Sequence, residues 1–176
     1  MAAVAFDASA LLLALAPDTK APLNPDTRKP VELAGKRMRH LLDTLETSKA
    51  TIIIPTPTFA EILVRVTPEA AAAYLDIFRK NSRIKLASFD ARAAIELAEI
   101  TRALATPSDK RGGLEASWAK IKFDRQILAI ARVHQVDRIY TDDTTMSAAA
   151  EKLGMTVVRT CDLELPQEEL QGSLPF

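Results

Sequence analysis

The segment TIII at residues 51–54 is a short run of β-branched side chains, and it ends at Pro55 and Pro57. Such a run, closed by prolines, predicts a strand that is buried on both faces of a parallel sheet. Other short apolar runs predict further strands at residues 3–6, 138–141, 155–159 and, more weakly, 83–87. The sequence therefore predicts a sheet of four to five strands.

Longer segments with helical periodicity lie between these strands. One of them places Ala93, Leu97, Ile100 and Leu104 at three- and four-residue spacing, which is typical of an amphipathic helix. Strands that alternate with helices favour parallel pairing through right-handed crossovers. We therefore expect an α/β fold, a three-layer α/β/α sandwich around a central parallel sheet.

The composition excludes several classes of protein. Lys and Arg together number 23, as do Asp and Glu, so the net charge of zero excludes a polybasic nucleic-acid coat. One cysteine, Cys161, and two histidines, His40 and His134, exclude an internal disulfide and metal sites of the HExxH, CxxC or Cys₄ type. A metal would have to be held mainly by carboxylates, which favours Mg²⁺ or Mn²⁺.

The chain of 176 residues has the length of one domain, followed by a short tail. We expect a domain over residues 1–160, with a proline-rich loop or excursion at residues 17–30 ahead of a long helix. Residues 161–176 contain acids but no basic residue, which predicts a peripheral tail. Because no apolar stretch is long enough to cross a membrane and no signal peptide is recognisable, we expect a cytoplasmic protein.

Acidic residues lie at or near the carboxyl ends of the predicted strands. Asp7 directly follows the first strand, and Glu61 lies one turn into the helix after residues 51–54. Asp142 and Asp143 follow residues 138–141, and Asp124 opens the preceding helix. Ligands of parallel α/β sheets bind outside the carboxyl ends of the strands. Carboxylates gathered there repel one another unless a cation offsets their charge, so the pattern predicts a cation site.

Each of these acids also has a local explanation. Thr58 and Glu61 have the spacing of a capping box, in which the glutamate needs no further role. Asp124 in a first helical turn would favour the helix dipole, and Asp143 or Thr144 could cap the following helix. Asp7 is harder to explain in this way, because it lies between a strand and an apolar helix start, near the core.

Four short motifs together resemble those of the PIN-domain ribonucleases and, within that family, the VapC-type toxins. They are FDAS at residues 6–9, PTFAE at 57–61, FDRQILA at 123–129 and IYTDD at 139–143. Each motif is weak alone, but their order and strand context make the match fairly specific. The resemblance extends over roughly residues 3–158 and implies the PIN-like form of the three-layer sandwich. The chain departs from a compact member at residues 17–30.

The resemblance also implies roles for individual residues. Asp7, Glu61 and Asp124 would be the core acids that bind Mg²⁺ or Mn²⁺. The fourth acid should be Asp143, because the family pattern reads Thr-x-Asp after the strand, and Asp142 could share or replace that role. The hydroxyl residues beside these acids would position them or a water molecule: Ser9 and Thr141.

The function that the resemblance implies is metal-dependent hydrolysis of phosphodiester bonds in RNA, as by the toxin of a type II toxin–antitoxin pair. Basic residues near Asp124 are candidates for contacting the RNA backbone: Lys120, Lys122 and Arg125. The resemblance also suggests a protein antitoxin as partner and a homodimer.

Two other functions fit parts of the pattern. A PIN-like module without catalysis would serve in binding or assembly, although such modules usually lose one or more of the acids. A haloacid-dehalogenase-like phosphatase also has an aspartate after its first strand, but it needs a second two positions later, where this chain has Ser9. Nucleotide-cofactor enzymes are disfavoured because no GxGxxG or GxxxxGK[ST] segment follows a strand.

Overall fold

A computed structural model describes residues 2–166 of the chain. Within them, five parallel strands form one sheet in the order β3-β2-β1-β4-β5. The strands are β1 (Ala3–Phe6), β2 (Thr51–Pro55), β3 (Ile84–Ala87), β4 (Arg138–Tyr140) and β5 (Thr156–Val158). The predicted parallel sheet is confirmed, including the short fifth strand at residues 84–87.

Seven α-helices connect the strands of the described chain. They are α1 (Ala8–Leu15), α2 (Ala34–Thr47), α3 (Thr56–Arg65), α4 (Pro68–Lys80), α5 (Ala91–Leu104), α6 (Trp118–Val133) and α7 (Thr144–Lys152). A 3₁₀ turn follows at Thr160–Asp162. None of the helices in residues 2–166 has the length and apolarity that crossing a membrane requires.

The two faces of the sheet bury two separate cores. Along β1, Val4 and Phe6 pack with α1 and α2, whereas Ala5 packs with α5, α6 and α7 on the other face. In β4, Tyr140 packs on the α1 and α2 face and Ile139 packs on the opposite face, because successive side chains of a strand point to opposite faces. Helices therefore cover both faces, and the three-layer sandwich is confirmed.

The register of the central strands sets the position of the candidate acids. Phe6 of β1 pairs with Tyr140 of β4, and the Asp7 N–H donates to the Tyr140 carbonyl at 3.0 Å. Both strands therefore end at the same level. The residues that follow them, Asp7 and Thr141, lie side by side at the carboxyl edge of the sheet.

The proline-rich segment at residues 17–30 folds into a closed loop with its own hydrogen bonds. The Asn24 N–H donates to the Lys29 carbonyl at 2.8 Å, and the Val31 N–H donates to the Pro22 carbonyl at 2.9 Å. The helix after it begins at Ala34, because Leu33 adopts a left-handed backbone conformation with φ of 54°.

The first residues of the predicted acidic tail pack onto the domain. The 3₁₀ turn begins at Thr160, which is buried, and Leu163 packs into the core on the α1 and α2 face. Residues 167–176, which include Glu168 and Glu169, lie outside the described part of the chain.

Candidate active site

A cleft of about 280 Å³ lies at the carboxyl edge of the sheet, between α3 and α6. Four acids line it, and they come from four different places in the chain: Asp7, Glu61, Asp124 and Asp143. Met146 and Ile127 form apolar parts of the wall. The fold therefore brings together four of the five acids that the sequence singled out.

Asp7 is the most deeply buried of these acids, with 5% of its surface exposed. One carboxylate oxygen accepts from the Ala10 N–H at 2.7 Å, and the other accepts from the Thr141 hydroxyl at 2.5 Å. Burial raises the pKa of Asp7 to about 6; these two hydrogen bonds lower it, and the charges of Asp142 and Asp143 raise it. An ionised Asp7 is therefore costly unless a cation offsets its charge.

Lys120 joins two of the other carboxylates. Its Nζ lies 2.8 Å from Asp124 Oδ2 and 2.9 Å from Asp143 Oδ2. Burial raises the pKa of Asp124, although the Lys120 ammonium opposes this shift. Burial also disfavours ionisation of Asp143, but hydrogen bonds from the Met146 N–H and from Lys120 outweigh it and lower the pKa. The ammonium thus lies where two acids converge.

The position of Asp124 in its helix differs from the sequence prediction. Helix α6 begins at Trp118, because the Ser117 hydroxyl accepts the Lys120 N–H and caps the first turn. Asp124 therefore lies beyond the first turn, and the prediction that it opens the helix is wrong. A favourable interaction with the helix dipole, which is confined to the ends, does not explain this acid.

Glu61 also has a different local role from the one that the spacing favoured. Helix α3 begins at Thr56 with Pro55 as its cap residue, so Thr58 is inside the helix and the capping-box explanation is wrong. The Glu61 carboxylate pairs instead with Arg65, one turn further along, and its side chain is 35% exposed. Arg65 lines the same cleft.

The structure separates the two adjacent aspartates. Asp142 points to the C-terminal 3₁₀ turn, where its carboxylate accepts from the Thr160 N–H at 2.9 Å and from the Thr160 hydroxyl at 2.5 Å. Asp143 lines the cleft and caps α7 by accepting from the Met146 N–H at 2.8 Å. Of the two candidates for the fourth acid, Asp143 therefore lines the cleft and Asp142 contacts the 3₁₀ turn.

The two hydroxyl residues are both next to the acids. Thr141 is buried, and its hydroxyl oxygen accepts from the Asp143 N–H at 3.0 Å while it donates to Asp7. It therefore links two of the four acids. Ser9 is exposed and lines the cleft at the start of α1.

The three basic candidates differ in accessibility. Lys120 lines the cleft and Lys122 is exposed on α6. Arg125 is fully buried, and its guanidinium donates to the carbonyls of Lys110 at 2.8 Å and Arg111 at 3.1 Å. The expectation that Arg125 contacts RNA does not fit this position, because its charged group anchors the loop before α6.

Sequence reasoning missed the ion pairs inside the cleft, although their spacing was visible. Lys120 precedes Asp124 by four residues, and Glu61 precedes Arg65 by four, so each pair shares a helix face. The burial of Arg125 could have been read in a similar way. It shares a helical stripe with Ile121 and Leu128, which are both buried in the core.

The residue types in the cleft fit a hard divalent cation, because all four acids offer carboxylate oxygens. The burial of Asp7 fits as well, since a nearby cation would offset its charge. As placed, however, no three acidic, histidine or cysteine side chains of residues 2–166 are grouped to hold one ion. Lys120 instead lies between two of the acids, so an ion held by both Asp124 and Asp143 would compete with its ammonium group.

Comparisons with known proteins point to one family. A model of the PIN domain family matches residues 30–152. DNA-bound VapBC from Salmonella typhimurium is similar in structure, with a TM-score of 0.58 and 16% identity over 92% of this chain and 100% of that one. VapBC2 from Rickettsia felis, bound to a promoter DNA fragment, has a TM-score of 0.55 and 16% identity over 89% and 98%. No curated protein matches the chain.

Proposed function

The chain belongs to the PIN domain family, and on that premise we propose that it is a metal-dependent endoribonuclease of the VapC toxin type. The observation that carries this proposal is the convergence of Asp7, Glu61, Asp124 and Asp143 on one cleft. These carboxylates come from four segments that are distant in sequence. Lys120 and Arg65 offset three of these charges, whereas the buried Asp7 pairs with no basic side chain of residues 2–166, so its charge favours a bound cation.

Asp7, Glu61, Asp124 and Asp143 are the residues that would hold Mg²⁺ or Mn²⁺. The chemistry that such an ion supplies to phosphodiester hydrolysis is activation of water and stabilisation of charge on the phosphate. Asp142 is left out of this set, because its carboxylate is engaged by Thr160.

Other residues of the chain orient these acids and bind the substrate. Thr141 fixes the Asp7 carboxylate through its hydroxyl and holds the backbone of Asp143. Lys120, once released from its two carboxylates, supplies a positive charge next to the scissile phosphate. Lys122 is exposed on the same helix and would contact the RNA backbone.

The proposed partners follow from the structural relatives, which are VapBC complexes. From these relatives we propose a protein antitoxin that binds this chain; a homodimer as the toxin assembly and a location in the cytoplasm are proposed from the resemblance to VapC-type toxins alone. The groove beside the cleft, with the apolar residues Ala60, Val64 and Phe123 in its wall, supports burial of this region by another protein.

A PIN module without catalysis is the second candidate, and one observation favours it. The Lys120 ammonium occupies the space between Asp124 and Asp143, where a cation would otherwise offset their charges. In a binding module this arrangement would be permanent. Metal binding therefore distinguishes the two candidates as directly as cleavage does.

The test is RNA cleavage by the purified chain, with Asp124→Asn purified in parallel to reveal contaminating nucleases. We expect cleavage in Mg²⁺ or Mn²⁺, none in EDTA, and recovery when the metal is restored. The Asp124→Asn protein should be inactive throughout. Undiminished cleavage in EDTA would contradict the metal-dependent mechanism. Absence of both cleavage and metal binding would favour the binding module.

A further inference from the structure

A second cavity, of about 450 Å³, adjoins the acidic cleft at the carboxyl edge of the sheet. The two cavities share the lining residues Ser9 and Asp143, so they lie side by side. The outer wall of the second cavity comes from the proline-rich segment at residues 17–30, including Pro22, Leu23 and Pro25. Apart from Pro30, this segment lies outside the part of the chain that the family model matches.

Two cations of the proline-rich segment, Lys20 and Arg28, line this second cavity. Neither side chain makes an ion pair or a hydrogen bond with another residue of the described chain. Asp142 also lines the cavity, but its two carboxylate oxygens already accept from Thr160. Within residues 2–166, the cavity therefore presents two cations whose donors are not taken by another side chain.

The segment that carries these cations is held in place. The Asn24 side-chain oxygen accepts from the N–H groups of Asp26 at 2.9 Å and Thr27 at 3.2 Å, and the Arg28 N–H donates to the Asn24 carbonyl at 2.9 Å. Its prolines also restrict the unfolded segment, so less conformational entropy is lost when the segment folds. Ordering a binding loop in advance lowers the entropic cost of binding.

We propose that the second cavity is a subsite for single-stranded RNA, in which Lys20 and Arg28 bind the backbone phosphates next to the scissile one. This inference rests on the proposed function, because the scissile phosphate would lie in the acidic cleft that the cavity adjoins. The guanidinium of Arg28 can bind a phosphate with two parallel hydrogen bonds, and Lys20 acts as a point charge. The apolar prolines and Leu23 offer a surface for a ribose or base.

RNA fits this cavity better than an acidic protein segment for a geometric reason. The cavity adjoins the cleft, with Ser9 and Asp143 in the walls of both, so an RNA strand that reaches the acids from this side would contact Lys20 and Arg28. Cations beside the acids also reduce the repulsion between the acids and the RNA backbone.

The test compares two double variants of the full chain by binding of a fluorescent single-stranded RNA in EDTA. The cavity variant is Lys20→Gln with Arg28→Gln. The matched control is Lys29→Gln with Arg39→Gln, which removes the same charges from exposed positions that do not line the cavity. We expect the cavity variant to bind RNA more weakly. The slope of log affinity against log salt concentration should fall in magnitude by about 1.4, because each of the two lost phosphate contacts contributes about 0.7.

An unchanged slope in the cavity variant, or an equal loss in the control, would overturn the subsite. A second measurement, crosslinking of thiouridine-containing RNA, should map to residues 17–30 in the wild type, and crosslinks confined to other segments would also overturn it. If the cavity variant lowers the salt-dependence slope but the wild type shows no metal-dependent cleavage, the cavity still binds RNA and the proposal of a nuclease is wrong. Normal cleavage with an unchanged slope would reject the subsite alone, and an antitoxin would then be the candidate for this cavity.

Discussion

The ammonium group of Lys120 contacts the carboxylate of Asp143 at 2.9 Å, although Lys120 belongs to α6 and Asp143 precedes α7. The same ammonium lies 2.8 Å from Asp124. One side chain thus offsets two of the four acids in the cleft. A divalent cation that binds these acids has to compete with an internal cation.

Replacing Lys120 with glutamine should tighten metal binding. The variant removes the competitor, and a partly exposed ion pair of this kind contributes up to about 1 kcal/mol, which corresponds to about fivefold in affinity. Mn²⁺ titration followed by calorimetry measures the effect. Lys122→Gln removes an exposed charge from the same helix and should leave the affinity nearly unchanged. Equal affinities for Lys120→Gln and wild type would show that the ammonium is no barrier to the metal.

Replacing Asp7 with asparagine should stabilise the metal-free protein at neutral pH. The pKa of Asp7 in the folded protein, about 6, lies above its ordinary value of 3.8, so the folded state binds the proton more tightly than the unfolded state. Stability contributed by this group is therefore present below about pH 4 and is lost as the pH rises through about 6. The full shift corresponds to about 3 kcal/mol, and we expect a gain of about 1–3 kcal/mol at pH 8.

Urea unfolding in EDTA at pH 4.5 and pH 8 measures this effect. The stability difference between Asp7→Asn and wild type should grow with pH, while RNA cleavage in Mn²⁺ should be lost. A difference that is the same at both pH values would mean that Asp7 is not the group that titrates.

Asparagine variants of Asp142 and Asp143 should separate the two adjacent aspartates. Asparagine remains a good helix cap at position 143 and can still accept from Thr160 at position 142, so both variants should fold with stability within about 1 kcal/mol of wild type. Asp143→Asn should lose most of the thermal stabilisation by Mn²⁺ and most of the cleavage. Asp142→Asn should keep both. The reverse pattern would make Asp142 the fourth ligand.

Replacing Arg125 with methionine should destabilise the protein. The guanidinium donates to the Lys110 and Arg111 carbonyls, and its loss leaves both without this partner. We expect a loss of about 2–4 kcal/mol, since a hydrogen bond made by a charged group contributes about 1.5–3 kcal/mol and both of these bonds are partly buried. Urea unfolding measures it, with Lys122→Gln as the exposed control on the same helix. A loss below about 1 kcal/mol would show that the loop does not depend on Arg125.

Much of the fold could be predicted from the sequence because its signals are local. The run TIII at residues 51–54 and the acids after the strands indicate a parallel sheet and the edge where a site forms. The spacing of Thr58 and Glu61 predicts a later start for α3, but the helix already includes Pro57, because proline is tolerated in a first helical turn. Moving the start to Thr56 removes the capping box.

The contacts within the site were harder to predict, because they depend on side-chain conformations in three dimensions. Asp142 and Asp143 are neighbours in sequence, yet one contacts Thr160 and the other contacts Lys120. Nothing local in the IYTDD segment distinguishes them. The burial of Arg125 likewise depends on a loop that folds back over α6 to offer its carbonyls.

Replacing Glu61 with glutamine tests whether this acid is a metal ligand or only the partner of Arg65. The ion pair with Arg65 is partly exposed, so its loss should change metal-free stability by no more than about 1 kcal/mol. Glutamine has no charge and is a poor ligand for a hard dication. The rise in melting temperature caused by Mn²⁺ should therefore shrink, and RNA cleavage should be lost.

Glu96→Gln is the matched control, because Glu96 forms a comparable ion pair with Arg132 at 2.9 Å and does not line the cleft. It should lose a similar amount of metal-free stability and keep both the response to Mn²⁺ and the cleavage. If Glu61→Gln behaves like this control, Glu61 is only the ion-pair partner of Arg65 and is not a metal ligand. The metal would then be held by Asp7, Asp124 and Asp143 alone.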